Sequence, residues 1–113
     1  MNVQIFGTKK SFDSKKAERY FKERGIKYQF VDMKEKGLSK GEFNSVCQAV
    51  GGYEKLIDPK CKDKNLLALV QYLSEEDKKE KILKNQKIIR TPIVRNGKQA
   101  TVGYEPDVWK DWK

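Results

Sequence analysis

Apolar positions in this chain form short runs near both ends and take helical spacing in between. Val3 to Phe6 is an apolar run that stops at Gly7. After a polar turn, apolar or aromatic Phe12, Ala17, Tyr20 and Phe21 follow in an amphipathic pattern. The order predicted is strand, loop, helix. Gly25 suits the end of that helix, and Lys27 to Asp32 reads as a second strand. Two strands joined by so short a helix should be parallel neighbours with a right-handed crossover.

Residues 34–37 read as a loop. Beyond it, Leu38 is placed as an apolar staple in front of Ser39, and Glu42 lies three residues on from Ser39. This is a capping box, and it predicts a helix from about Lys40 to Val50 with Phe43, Val46, Cys47 and Val50 on one face. Gly51-Gly52 ends it. Asn65 to Leu73 has helical periodicity and is apolar enough to be buried on most sides. Ser74-Glu75-Glu76-Asp77 then starts a further helix, acidic in its first turn and lysine-rich later, which matches the helix dipole.

The last third predicts a hairpin. Lys87 to Arg95 reads as a strand entered through Pro92, Asn96-Gly97 as a two-residue turn, and Lys98 to Gly103 as the return strand. Pro106 suits an early helical position, so a short final helix should pack Val108 and Trp109 or Trp112 against the sheet. The whole is an α/β arrangement: a β-α-β unit, a helical middle and a β-β-α unit.

Composition narrows the function classes. A chain of 113 residues fits one domain with one core and needs no staples. Cys47 and Cys61 lack CxxC spacing, and the chain has no histidine, so a disulfide framework and a zinc site are not expected. Reduced thiols and the absence of an apolar run of spanning length or of a signal-like start lead to the expectation of a cytoplasmic protein with no membrane partner. The net charge of +9 suggests an acidic partner surface or nucleic acid. Acids are interleaved with the lysines, as in Glu76-Asp77-Lys78-Lys79-Glu80-Lys81, and no nucleic-acid module accompanies them, which points away from sequence-specific nucleic-acid binding.

The chemistry of interest lies in the first turn, Phe6-Gly7-Thr8-Lys9-Lys10-Ser11-Phe12-Asp13-Ser14-Lys15-Lys16-Ala17. A strand-loop-helix turn aims free N–H groups and the positive end of the helix dipole at its tip, where a thiolate or oxyanion is favoured. The tip residue is Ser11. Its plain structural role is a helix N-cap, and as a nucleophile it would need an adjacent base, for which Asp13 is the nearest candidate.

This turn resembles that of the ArsC/Spx family of thioredoxin-like proteins, with Ser11 at the nucleophilic cysteine position, Ser14 at the second cysteine position and Lys15-Lys16-Ala17 after it. Arg90-Thr91-Pro92 is similar to the family's Arg and cis-proline element. The resemblance covers nearly the whole chain. It implies a small mixed sheet with thioredoxin-like core segments 1–32 and 87–113, a helical insertion at 33–86, and a cis Thr91–Pro92 bond. Family arsenate reductases hold their anion with arginines; Arg90 matches one such position, Lys60 falls at another, and Tyr104 occupies a third.

What the resemblance implies for function divides two ways. Without the family's thiol, the chain is expected to be a non-redox binding or regulatory member. It would bind a protein partner (RNA polymerase, if it follows the Spx branch), a small oxyanion or glutathione, and carry no bound cofactor. The alternative is a glutathione- or glutaredoxin-coupled oxidoreductase like the arsenate reductases, using another thiol such as Cys61, whose flanking lysines would favour a thiolate. Ser11 and Cys61 are then the catalytic candidates, and Ser14, Lys15, Lys60, Arg90, Thr91, Pro92 and Tyr104 the binding ones.

Overall fold

A computed structural model describes residues 1–113. Strand β1 (Val3–Gly7) leads into helix α1 (Phe12–Glu23), and strand β2 (Tyr28–Asp32) pairs parallel to β1. Helices α2 (Lys40–Val50), α3 (Lys64–Tyr72) and α4 (Glu75–Lys84) follow, with 3-10 turns at Tyr53–Leu56 and Gln86–Ile88. Strands β3 (Ile93–Asn96) and β4 (Gln99–Val102) and helix α5 (Pro106–Trp109) close the chain. The sheet order is β2-β1-β3-β4, with β3 antiparallel to both β1 and β4, so the sheet is mixed and the fold thioredoxin-like. No helix is long and apolar enough to cross a membrane.

Alternation along the strands sorts the apolar residues to two faces. Val3, Ile5 and Val94 join Ala17, Tyr20, Phe21, Trp109 and Trp112 on the side of α1 and α5. Phe6, Val31 and Ile93 join Phe43, Val46, Leu56, Ile82 and Ile88 under α2 to α4. On this second face Arg95 donates to Gln4 Oε1 at 2.8 Å and lies 3.8 Å from Glu42, so the acid of the capping box is tied electrostatically to the sheet.

Local signals set most boundaries. Ser39 and Glu42 form the full capping box of α2, Leu38 and Phe43 are buried in one cluster, and Gly51 ends the helix with φ +89°. Ser74 caps α4 through the Asp77 N–H.

Several expectations need correction. α3 buries only Leu66 and Val70 well, leaving Leu69 and Tyr72 exposed, because the cluster it joins covers one side of the helix. Residues 87–90 are not part of a strand of the sheet. The Arg90 N–H donates to the Leu56 carbonyl, the Asp58 N–H to the Ile88 carbonyl, and Ile89 bridges Ile57, so this stretch pairs with the insertion instead. The hairpin turn is Gly97-Lys98, one residue later than Asn96-Gly97, since Asn96 pairs with Gln99. Gly97 alone has positive φ there, as the first central position of a type II′ turn requires. Asn96 is occupied elsewhere: it accepts the Asn2 N–H and donates to Gln99 and to the Lys113 carbonyl. Val108 is exposed, and the two tryptophans alone supply the packing of the chain's end.

Candidate functional site

The turn between β1 and α1 is held by its own serines. The Ser11 N–H donates to the Thr8 carbonyl at 3.2 Å, and the Ser11 Oγ accepts the Ser14 N–H at 3.2 Å, so Ser11 is the N-cap of α1. Ser14 is fully buried, and its Oγ accepts the Thr8 N–H at 3.3 Å. Its place is set by Gly7: a Cβ there would run into the Ser14 Oγ and lie 2.8 Å from the Ser14 Cβ. Gly7 is thus required by close approach, not by an unusual backbone angle. The N–H groups of Phe12 and Asp13, at the first turn of α1, have no acceptor within the chain. They point where an anion would be favoured.

Across from the turn, the Thr91–Pro92 bond is cis, and the Pro92 carbonyl accepts the Gly103 N–H at 2.8 Å. The Arg90 guanidinium lies over Gly103, where a Cβ would meet its Nη2 at 3.2 Å. Tyr104 follows, with Lys16 Nζ 5.6 Å from its ring centroid. The fold therefore gathers Arg90, Thr91, Pro92 and Tyr104, and Lys16 rather than Lys15 connects them to α1. Lys15 and Lys60 are exposed, and the Lys60 N–H donates to Asp58 Oδ1 in a local turn.

Thr8 and Thr91 also share one wall of a groove of about 610 Å³, which runs between the loop 33–37 and residues 83–87. Gln86 fixes that groove: its amide donates to the Leu38 carbonyl at 2.8 Å and accepts the Leu38 N–H at 2.7 Å. Lys87 is spoken for by Asp63 at 3.0 Å. The Leu66 N–H, and then Lys87, hold the Asp63 carboxyl below its ordinary range. Sequence reasoning did not find Gln86, because Leu38, which it clamps, lies 48 residues away and no local pattern marks it.

Both cysteines are free and buried. Cys47 sits on the inner face of α2, and burial, the largest influence, pushes its thiol up. Cys61 packs in the same apolar cluster, its Sγ 3.8 Å from the Lys87 carbonyl.

The ArsC family model matches residues 6–112. Among curated proteins there is no match. Among solved structures, an ArsC-family-related protein from Bacteroides fragilis is 19% identical with a TM-score of 0.86, covering 100% of this chain and 98% of its own. An arsenate reductase from Vibrio cholerae is 24% identical with a TM-score of 0.82, over 96% of this chain and 94% of its own. An arsenate reductase-related protein from Brucella melitensis is 22% identical with a TM-score of 0.66, over 99% and 94%. At these identities the three structures establish a shared fold.

Proposed function

Because the chain belongs to the ArsC family, we propose that it is a member working by binding rather than by thiol chemistry, with Ser11 in the place of the family's nucleophilic cysteine. The observation that carries this reading is the engagement of the Ser11 oxygen as the cap of α1. A serine hydroxyl keeps its proton near neutral pH, and the chain has no histidine to take it. The position can still attract an anion through the free N–H groups of Phe12 and Asp13 and the exposed Lys9, Lys10 and Lys15. On this reading the ligand is a protein partner, RNA polymerase included if the chain follows the regulator branch, or a small oxyanion or glutathione, and the protein works in the reducing cytoplasm.

A second reading keeps redox activity through Cys61. The likeness to the Vibrio cholerae arsenate reductase and the neighbouring Lys60 and Lys62 favour it. Burial of Cys61 against the Lys87 carbonyl weighs the other way, since a catalytic thiol must reach its partner's sulfur.

Thiol accessibility separates the two. In the native chain both cysteines are expected to react with an aromatic disulfide reagent on the order of 100-fold more slowly than in denaturant, as for groups exposed only by openings of about 3 kcal/mol. Rapid formation of a mixed disulfide between native Cys61 and glutathione, located by peptide mass, would reverse the assignment.

A further inference from the structure

The outer face of α1 carries a stripe that neither the fold nor the turn accounts for. Phe12, Lys16, Arg19 and Glu23 recur at spacings of four, three and four residues, which stacks them on one side of the helix. The buried residues Ser14, Ala17, Tyr20 and Phe21 take the other side. Phe12 is 79% exposed, the second most exposed large apolar or aromatic side chain in the protein. At the foot of the stripe is a pocket of about 330 Å³, lined by Lys16, Arg19, Tyr20, Glu23, Arg24, Tyr104 and Pro106. Its aromatic walls are already overlaid by cations: Lys16 lies over Tyr104 and the Arg24 guanidinium 3.7 Å from the centroid of Tyr20.

None of these cations is in an ion pair; the ion pairs of the chain are Lys84 with Glu80, Lys87 with Asp63 and Arg95 with Glu42, all away from α1. Cations outside any ion pair, beside an exposed phenyl ring, are complementary to carboxylates beside an apolar side chain. We infer that the Phe12–Lys16–Arg19 stripe and the pocket at its foot form a docking surface for an acidic segment of a partner protein. The segment's carboxylates meet Lys16 and Arg19, and one apolar side chain covers Phe12. Glu23 in the pocket wall interrupts the row of cations, so a peptide with spaced carboxylates and an apolar side chain fits this surface better than the evenly charged backbone of a nucleic acid strand. The inference rests on the binding reading above and names where a protein partner sits.

The test is fluorescence anisotropy of a labelled peptide of sequence Glu-Glu-Leu-Phe-Glu-Glu, a second peptide with both apolar residues replaced by Ser, and a labelled deoxythymidine oligomer. Wild type is compared with Lys16→Glu/Arg19→Glu, with Phe12→Ser, and with Lys27→Glu/Lys98→Glu, an equal charge change elsewhere on the surface. The stripe double variant should weaken the first peptide by about tenfold or more, the equivalent of ~1.4 kcal/mol. The control pair should change affinity by less than about threefold, in line with weak rim charges. Phe12→Ser should weaken the first peptide and not the second. Equal losses in the two charge-reversed proteins, tighter binding of the oligomer than of the peptide, or no peptide binding at about 1 mM would each overturn the proposal. Because the assay reads no redox chemistry, a docking failure beside redox-silent wild type removes this surface and leaves the reading of Ser11 intact.

Discussion

Ser11→Cys is expected to give this chain a reactive thiol that its own cysteines do not provide. The Sγ would replace an oxygen that already accepts the Ser14 N–H, next to the free N–H groups of Phe12 and Asp13 and between exposed lysines. Those donors favour the thiolate, so the new group should titrate well below the ~8.5 of a free cysteine. A fall to about 6 would raise the thiolate fraction near neutral pH about 30-fold, and the lower intrinsic nucleophilicity would take back roughly tenfold of that. The rate should therefore match or modestly exceed that of an exposed free cysteine, and exceed that of the native chain by on the order of 100-fold. The sharper signature is pH. Thiolate absorbance should persist in the variant at pH values where a free cysteine has lost it. A thiol pKa depressed on folding also adds stability that is complete above the unfolded value, about 8.5, and is lost as pH falls through the folded value. An ordinary or raised pKa at position 11 would mean that the turn no longer favours an anion.

Trp109→Ala is expected to be the most destabilising single truncation on the α1 side of the sheet. Trp109 is 2% exposed, lies edge-on to Tyr20 at 5.2 Å and to Tyr104 at 5.5 Å, and donates its indole N–H to Thr101 at 2.8 Å. Removing a buried tryptophan costs ~3–5 kcal/mol, a large part of the ~5–15 kcal/mol that holds a domain of this kind together. The urea midpoint should fall by about 2 M at a typical slope for a small protein. Trp109→Phe should cost less, since it keeps the ring packing and forfeits chiefly the bond to the buried Thr101. A loss below about 1.5 kcal/mol in the alanine variant would show that this core is not organised around Trp109.

The fold was legible where the deciding interactions are local. Ser39 with Glu42, Ser74 before its acidic turn and Gly51 in the left-handed region mark helix ends by bonds that span only a few residues. The same holds for Ser11, whose role as a cap is closed within three residues. What the pattern misplaced was decided at a distance. Residues 87–90 are strand-like in composition, but their partners are Leu56 to Asp58 in the insertion rather than the sheet. Phe12 belongs to an amphipathic segment, yet at about 100° per residue it lies opposite the mean direction of Ser14, Ala17, Tyr20 and Phe21. The hairpin turn was displaced because Asn96 is held by Asn2, Gln99 and the chain end, contacts that a local turn signal does not contain.

The candidate site divides in the same way. Ser11 as a cap could be read from its neighbours in sequence, and the cis Thr91–Pro92 bond came from the resemblance to the family. The contact of Lys16 with Tyr104, the stacking of Arg90 on Gly103 and the clamp of Gln86 on Leu38 join distant segments, and only the folded chain brings them together.

A glutaredoxin-coupled reduction assay with arsenate and a model disulfide tests most directly the proposal that this ArsC-family chain works without thiol chemistry. Wild type, Ser11→Cys and Cys61→Ser are measured side by side. Turnover is expected from Ser11→Cys alone, with wild type and Cys61→Ser both at background. Turnover by wild type that disappears in Cys61→Ser would contradict it, and would assign the catalytic thiol to Cys61.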